Sequence, residues 1–319
     1  MELWILLDSP ALSKALSDTR RMNERKGSLV IITGASRGIG RAIALAIAES
    51  IKESSTQGDD DQPQPSMLSA PLRMVLIARS TEPLLETACL VEQRCVEDSM
   101  ASCHEMNLSD LDALPDKLQH MLQTLSSTQY DSCWLINNAG SLGPLGPASS
   151  MPSMKELRSA IDLNITSSIW LSSQFTKTFL TSSSSEKETK SPLVRIINIS
   201  SLCAIEPFPT MSTYCAGKAG IDMFHSVLAK EHSFNKADED EQKRKQNFKV
   251  LNYAPGPCDT QMTDDLAECS VLDEGLHSYY ATSKQENKLV RPEDTAKKLV
   301  HLLCMDEFES GSHVDYFDV

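Results

Sequence analysis

Seven short runs of apolar residues punctuate the chain, and longer stretches with helical periodicity lie between them. The first run opens SLVIITGASRGIGRAIALAIAES, which reads as strand, glycine-rich turn and helix. Then come RMVLIARS (Arg73 to Ser80), the weaker SCHEMNL, DSCWLINNAG ending at Gly140, VRIINISS (Val194 to Ser201), KVLNYAPG (Lys249 to Gly256) and the terminal SGSHVDYFDV. Helical periodicity covers Ile39–Ser50, Pro83–Glu97, Leu111–Leu125, Met154–Thr181, Met211–Glu231 and Pro292–Leu303. Strands that are apolar at consecutive positions are buried on both faces, and their alternation with helices implies a parallel sheet. The pattern predicts an α/β fold with a single domain. Its core is a Rossmann-type, doubly wound parallel sheet of about seven strands with helices on both faces.

Three polar stretches interrupt this pattern, near residues 53–66, 181–192 and 235–247. Each is charged or rich in Ser and Pro, which predicts a flexible insertion. Each joins a helix to the next strand. All three therefore belong at the N-terminal edge of the sheet, away from the carboxyl edge where ligands bind. The domain spans 28–319, preceded by an extension over 1–27. The short apolar core of that extension, Leu3 to Leu7, follows an acid and makes a poor secretory signal. Arg20 and Arg21 leave an organelle-targeting reading open beside that of a flexible extension.

The formal net charge of −14 argues against nucleic acid or an anionic membrane as partner. No apolar run approaches the roughly 18–20 residues of a membrane helix. The nine cysteines include no CxxC pair, and Cys103 beside His104 has no partner pair at metal-ligand spacing, so no metal is expected. Scattered thiols fit a reduced, cytoplasmic protein.

The glycine-rich turn, TGASRGIG, places Gly34, Gly38 and Gly40 between a strand and a helix. That context suits a pyrophosphate at the helix N-terminus, where free N–H groups and the helix dipole favour an anion. NAD-preferring sites often end the second strand with an acid for the ribose 2′-hydroxyl. Here that place holds Arg79, followed by Ser80, and Arg37 sits inside the turn. Two guanidiniums suit a 2′-phosphate, which points to NADPH/NADP+.

In combination, TGxxxGxG, NNAG, and a Ser thirteen residues before YxxxK resemble the short-chain dehydrogenase/reductase family over about 28–319. The strings NNAGSLG, INISSLCA, YCAGKAG, LNYAPGPCDT and SGSHVDYFD are similar to a branch of that family that reduces pterin ketones. The resemblance implies that Gly34, Ala35, Ser36, Arg37, Gly38, Ile39, Gly40, Arg79, Ser80, Asn107, Leu108, Asn138, Ala139 and Gly140 hold the nucleotide. Cys258, Asp259, Thr260, Gln261, Met262 and Thr263 would cover the nicotinamide. It also implies catalytic Ser201, Tyr214 and Lys218, a relay Asn164, and substrate contacts from Leu202, Gly256 and a pterin-anchoring Asp315. Two departures stand out: Asn107 replaces the usual Asp at the adenine, and Met211 stands where an aromatic is expected. The family commonly forms homodimers through the helices near 154–181 and 211–231.

Tyr214 and Lys218 are four apart on one predicted helix face. At about 5 Å and an effective dielectric of about 20, an ammonium favours phenolate by roughly 3 kcal/mol, or about two pKa units. This draws the phenol towards neutrality, where it gives up and regains a proton. Tyr214 would protonate a carbonyl oxygen as hydride arrives from nicotinamide, and Lys218 would also bind the ribose. Ser201 would donate to the same oxygen, and Asn164 would hold a water linking Lys218 to solvent. The expected activity is NADPH-dependent reduction of a pterin side-chain ketone. A reductase for a small diketone, quinone or steroid is the first alternative, and a non-catalytic NADPH-binding sensor the second.

Overall fold

A computed structural model of the chain describes residues 26–56, 67–180, 192–233 and 247–319. Its strands are β1 (Ser28–Thr33), β2 (Leu72–Ala78), β3 (Met100–Glu105), β4 (Ser132–Asn137), β5 (Leu193–Ile199), β6 (Phe248–Ala254) and β7 (His313–Asp315). They form one parallel sheet in the order β3-β2-β1-β4-β5-β6-β7. The order reverses between β1 and β4, which opens a ligand crevice at their carboxyl ends.

Helices α1 (Gly38–Thr56), α2 (Thr81–Glu92), α3 (Leu114–Ser126), α4 (Met154–Ile161), α5 (Ser167–Leu180) and α6 (Ser212–Ser233) follow in chain order. They continue with α7 (Gln261–Glu268), α8 (Glu274–Gln285) and α9 (Pro292–Met305). Alternate residues of β1, β2, β4, β5 and β6 feed two cores. Val30, Ile32, Leu76, Ile136 and Leu251 pack on α1, α2 and α9. Leu29, Ile31, Leu135, Ile196 and Val250 pack on α3, α5 and α6. Both faces are covered, which is why the strands read as apolar at consecutive positions.

The structure departs from the periodicity in three places. The single helix expected over 154–181 is broken by a π-helical turn at Asp162–Thr166, between α4 and α5. Residues 53–56 complete α1 and are not loop; the rest of that insertion (57–66), with 1–25, 181–191 and 234–246, lies outside the described residues. Helices α7 and α8 fill a stretch in which no element is predicted, because each is short and mostly polar. The described flanks of the interruptions sit before β2, β5 and β6, at the N-terminal edge of the sheet. Among the described residues no helix is long and apolar enough to cross a membrane.

Candidate active site

A cleft of about 1850 Å³ opens over the carboxyl ends of the strands. One end is built by the glycine turn. Gly34 adopts φ +66°, and a Cβ there would lie 2.8 Å from Asn138 Nδ2. Gly40 is tighter still, because a Cβ would lie within van der Waals radii of the Gly34 carbonyl and the Asn138 amide. The Asn138 side chain donates to the carbonyls of Thr33 (2.9 Å) and Gly34 (3.2 Å). Thr33 Oγ1 in return accepts from the backbone N–H groups of Asn138 (2.9 Å) and Ala139 (3.0 Å). The two motifs, TGASRGIG and NNAG, are thus one hydrogen-bonded unit.

Arg41 is a contributor that motif reading missed. Its Nη2 donates to Ser36 O at 2.6 Å, and it pairs with Glu86 at 2.7 Å, fastening the turn to α2. A cation in a first helical turn opposes the dipole, and that misplacement was its signal in the sequence. Arg37 and Arg79 line the same end of the cleft.

Ser36, Gly38, Ile39, Ser80, Leu108, Ala139 and Gly140 also line the cleft, as do Cys258 to Thr263, Leu202, Gly256 and Asp315. Four expected residues do not. Asn107 is exposed on the turn after β3, where its Oδ1 accepts from the Ser109 N–H at 3.2 Å; its neighbours Met106 and Leu108 face inward instead. Ala35 is fully buried, Gly40 is packed under the turn, and Asn164 lies behind the lining.

At the other end β5 delivers Ser201 and α6 delivers Tyr214 and Lys218, all three in the lining. Ser201 caps a short 3-10 turn, its Oγ accepting from the Cys203 N–H at 3.2 Å, and the Tyr214 hydroxyl points to Met262 Sδ at 3.9 Å. Lys218 Nζ donates to Ile199 O at 2.6 Å and sits 5.7 Å from the Tyr214 ring centroid. The π turn presents Asn164 to the Ser141 peptide, with Nδ2 donating to Ser141 O and Oδ1 accepting from Ser141 N–H, each at 2.9 Å. A π turn inside a helix is a frequent device at functional sites. A Cβ on Gly140 would stand 3.3 Å from Asn164 Oδ1 and 3.9 Å from Lys218 Nζ, so both polar groups close on that glycine.

The expected electrostatics need correction. Burial raises the Tyr214 phenol above its ordinary value, and the nearby Ser201 hydroxyl opposes it only in part. Burial likewise lowers Lys218, to about 8, partly opposed by the nearby Asp222 carboxylate. Desolvation penalises whichever form is charged, so a closed site holds phenol and ammonium apart from their solution values in opposite directions.

Beyond the triplet the cleft is walled by Leu142, Phe208, Met211, Leu276 and Tyr280, with Ile205 and Phe317 exposed at its mouth. Periodicity hid these residues because they come from four separate segments. Met211 is buried in that wall beside Tyr214. Asp315 ends β7; its Oδ1 accepts from the Phe317 N–H at 3.0 Å, which leaves Oδ2 and further lone pairs for a ligand.

The short-chain dehydrogenase family model matches residues 65–270. Sepiapterin reductase of Rattus norvegicus is 32% identical over 300 residues, covering 92% of this chain and 97% of the relative. The (S)-benzoin-forming benzil reductase of Bacillus cereus is 29% identical over 282 residues, covering 88% and 96%. The crystal structure of the KRED1-Pglu enzyme shares the fold with a TM-score of 0.67 at 20% identity, covering 90% of this chain and 100% of that one. The glycine turn on a helix N-terminus, with Arg37 and Arg79 free of protein partners in the described residues, fits a phosphorylated dinucleotide. The chain belongs to the short-chain dehydrogenase/reductase family and is an oxidoreductase with NADP(H) as its cofactor.

Proposed function

We propose that the protein reduces a side-chain ketone of a pterin of the sepiapterin or pyruvoyl-tetrahydropterin kind, a step in tetrahydrobiopterin formation, in the cytoplasm. The observation that carries this reading is the convergence of Ser201, Tyr214 and Lys218 at one end of a cleft that also contains Asp315. NADPH, when bound, supplies a hydride to the carbonyl carbon. Arg37, Arg79 and Ser80 receive its 2′-phosphate, and the N–H groups opening α1 receive the pyrophosphate. Met106, Leu108, Ala139 and Gly140 flank the nucleoside, and Cys258 to Thr263 close over the nicotinamide side.

Tyr214 gives its phenolic proton to the substrate oxygen. Ser201 donates a hydrogen bond to the same oxygen, where charge grows. Lys218, an ammonium below about pH 8, stabilises the tyrosinate left behind. Asn164 holds the Ser141 peptide and thereby the wall beside Lys218; a water beyond it completes the proton path. Asp315 accepts from the N–H donors of the pterin's aminopyrimidine edge.

A second reading, reduction of an apolar vicinal diketone, is favoured by the Leu142, Phe208, Met211 and Tyr280 wall and by likeness to a benzil reductase. Following NADPH oxidation with sepiapterin, a small vicinal diketone and a steroid ketone separates the readings. Sepiapterin is expected to be the best substrate, and turnover of the diketone alone refutes the pterin assignment. A homodimer through α5 and α6 fits the exposed Trp170, Met223 and Val227, and sedimentation at micromolar concentration tests it.

A further inference from the structure

A row of polar side chains crosses the sheet beneath the cleft. Asn137, Asn198, Asn252 and His313 stand in register on β4, β5, β6 and β7. Side chains alternate along a strand, and Leu135, Ile196 and Val250, two residues earlier, face α3, α5 and α6. The polar row faces the same helices. Polar groups in the middle of a helix-covered sheet need partners.

Three of the four converge on one residue, Asp222 of α6, which is 8% exposed, and two of them, Asn198 and His313, meet its carboxylate. Asn198 Nδ2 donates to Asp222 Oδ1 at 2.8 Å and to Asn252 Oδ1 at 3.0 Å. Ser200 Oγ donates to the carboxylate at 2.7 Å, and His313 Nδ1 lies 2.7 Å from Asp222 Oδ2. Asn252 Nδ2 reaches the Asp222 carbonyl at 3.4 Å. A carboxylate this deep, with this many donors, is costly to keep unless it has work to do.

Its position says what that work is. Tyr214, Lys218 and Asp222 follow one another at single helical turns along α6. Lys218 binds the carbonyl of Ile199, while Asp222 binds the side chains on either side of it, Asn198 and Ser200. The titratable groups around Lys218 are Tyr214 and Asp222 on its own helix and Cys203 on the turn after β5. Those around Asp222 are His313 on β7 and His225 on α6. His313 and Asp315 are two apart on β7, share one face, and both line the cleft.

We propose that Asp222 and His313 are positioning residues: Asp222 is the fixed counter-charge that keeps Lys218 an ammonium, and its bond to His313 ties the helix of the proton donor to the strand of Asp315. The inference rests on the carbonyl-reductase reading above.

The test is the pH–rate profile of Asp222→Asn, which removes the charge and keeps the shape. At about 6 Å and an effective dielectric of about 20, a unit charge is worth roughly two pH units on Lys218. With NADPH and a small vicinal diketone, the alkaline fall in kcat is expected one to two units lower than in wild type, in a protein whose circular dichroism melt shows it folded. A residue with only a structural role lowers kcat at every pH and leaves the limb in place. His313→Ala and His313→Asn supply a second comparison, which stands even where Asp222→Asn does not fold. Asparagine puts an N–H about where Nδ1 sits. His313→Ala is therefore expected to lose 10-fold or more in kcat/KM for sepiapterin, and His313→Asn to regain most of it. Folded Asp222→Asn with an unmoved limb, or His313→Asn no better than His313→Ala, overturns the proposal. Wild-type protein that oxidises NADPH with none of the ketones refutes the reductase reading instead.

Discussion

Replacing Lys218 with methionine should make the protein more stable and nearly inactive. The lysine is 8% exposed, its ammonium bonded to Ile199 O and held at about 8 against an ordinary 10.5. That gap is worth about 3 kcal/mol, the penalty of keeping the charge in the fold after Asp222 and Cys203 are counted. Below pH 8 both folded and unfolded chains carry the proton, and the penalty is fully present. Between about 8 and 10.5 the unfolded chain still binds the proton and the folded one does not, so wild-type stability rises with pH. Methionine keeps the apolar stem and removes the charge. Loss of the bond to Ile199 O returns about 1 kcal/mol. Lys218→Met is therefore expected to gain about 2–3 kcal/mol at pH 7, or roughly 5 °C in Tm. The gain should shrink towards pH 10. Thermal melts at pH 7, 8.5 and 10, without cofactor, read both numbers, and NADPH oxidation reads the lost turnover. A variant less stable than wild type at pH 7, or a gap that is the same at pH 7 and pH 10, refutes the reasoning.

Tyr214→Phe should retain NADPH binding by fluorescence and lose at least about 100-fold in kcat, because it removes the proton donor of the proposed mechanism. Arg79→Asp should lower the NADPH-to-NADH ratio of kcat/KM by about 10- to 150-fold, since it removes a charge-assisted bond and adds a like charge; an unchanged ratio counts against the 2′-phosphate site. Gly40→Ala should weaken NADPH binding well before it unfolds the domain. Its Cβ would run into the Gly34 carbonyl and the Asn138 amide, and backbone cannot give as a flexible side chain can; a Kd within about threefold of wild type contradicts that packing.

The sheet was legible because burial on both faces writes itself into consecutive apolar positions, as in VLIA of β2 and WLIN of β4. Glycines Gly34, Gly38 and Gly40, and the Ser201, Tyr214 and Lys218 spacing, were legible for a related reason: their geometry requires those residue types locally. What was hidden depends on contacts distant in sequence. The π turn at Asp162–Thr166 has a helical pattern on both sides, so periodicity does not reveal it. Asn107 sits one residue from two that line the cleft, and a side chain's direction at the end of a strand is not fixed by periodicity. The raised phenol of Tyr214 and the depressed Lys218 follow from burial, which a count of neighbouring charges along a helix omits. Asp222 read as one acid among many; its partners come from β5, β6 and β7.

In the proposed function this oxidoreductase reads a pterin through Asp315. The most direct measurement is kcat/KM for sepiapterin and for a small vicinal diketone, on wild-type protein and on Asp315→Ala prepared in parallel. One carboxylate accepting the aminopyrimidine donors predicts a loss of about 10- to 150-fold for sepiapterin and almost none for the diketone, which lacks that edge. Equal losses on both substrates would assign Asp315 to the capping of residues Tyr316–Asp318, and no loss on either would leave it a solvated acid; both results contradict the claim.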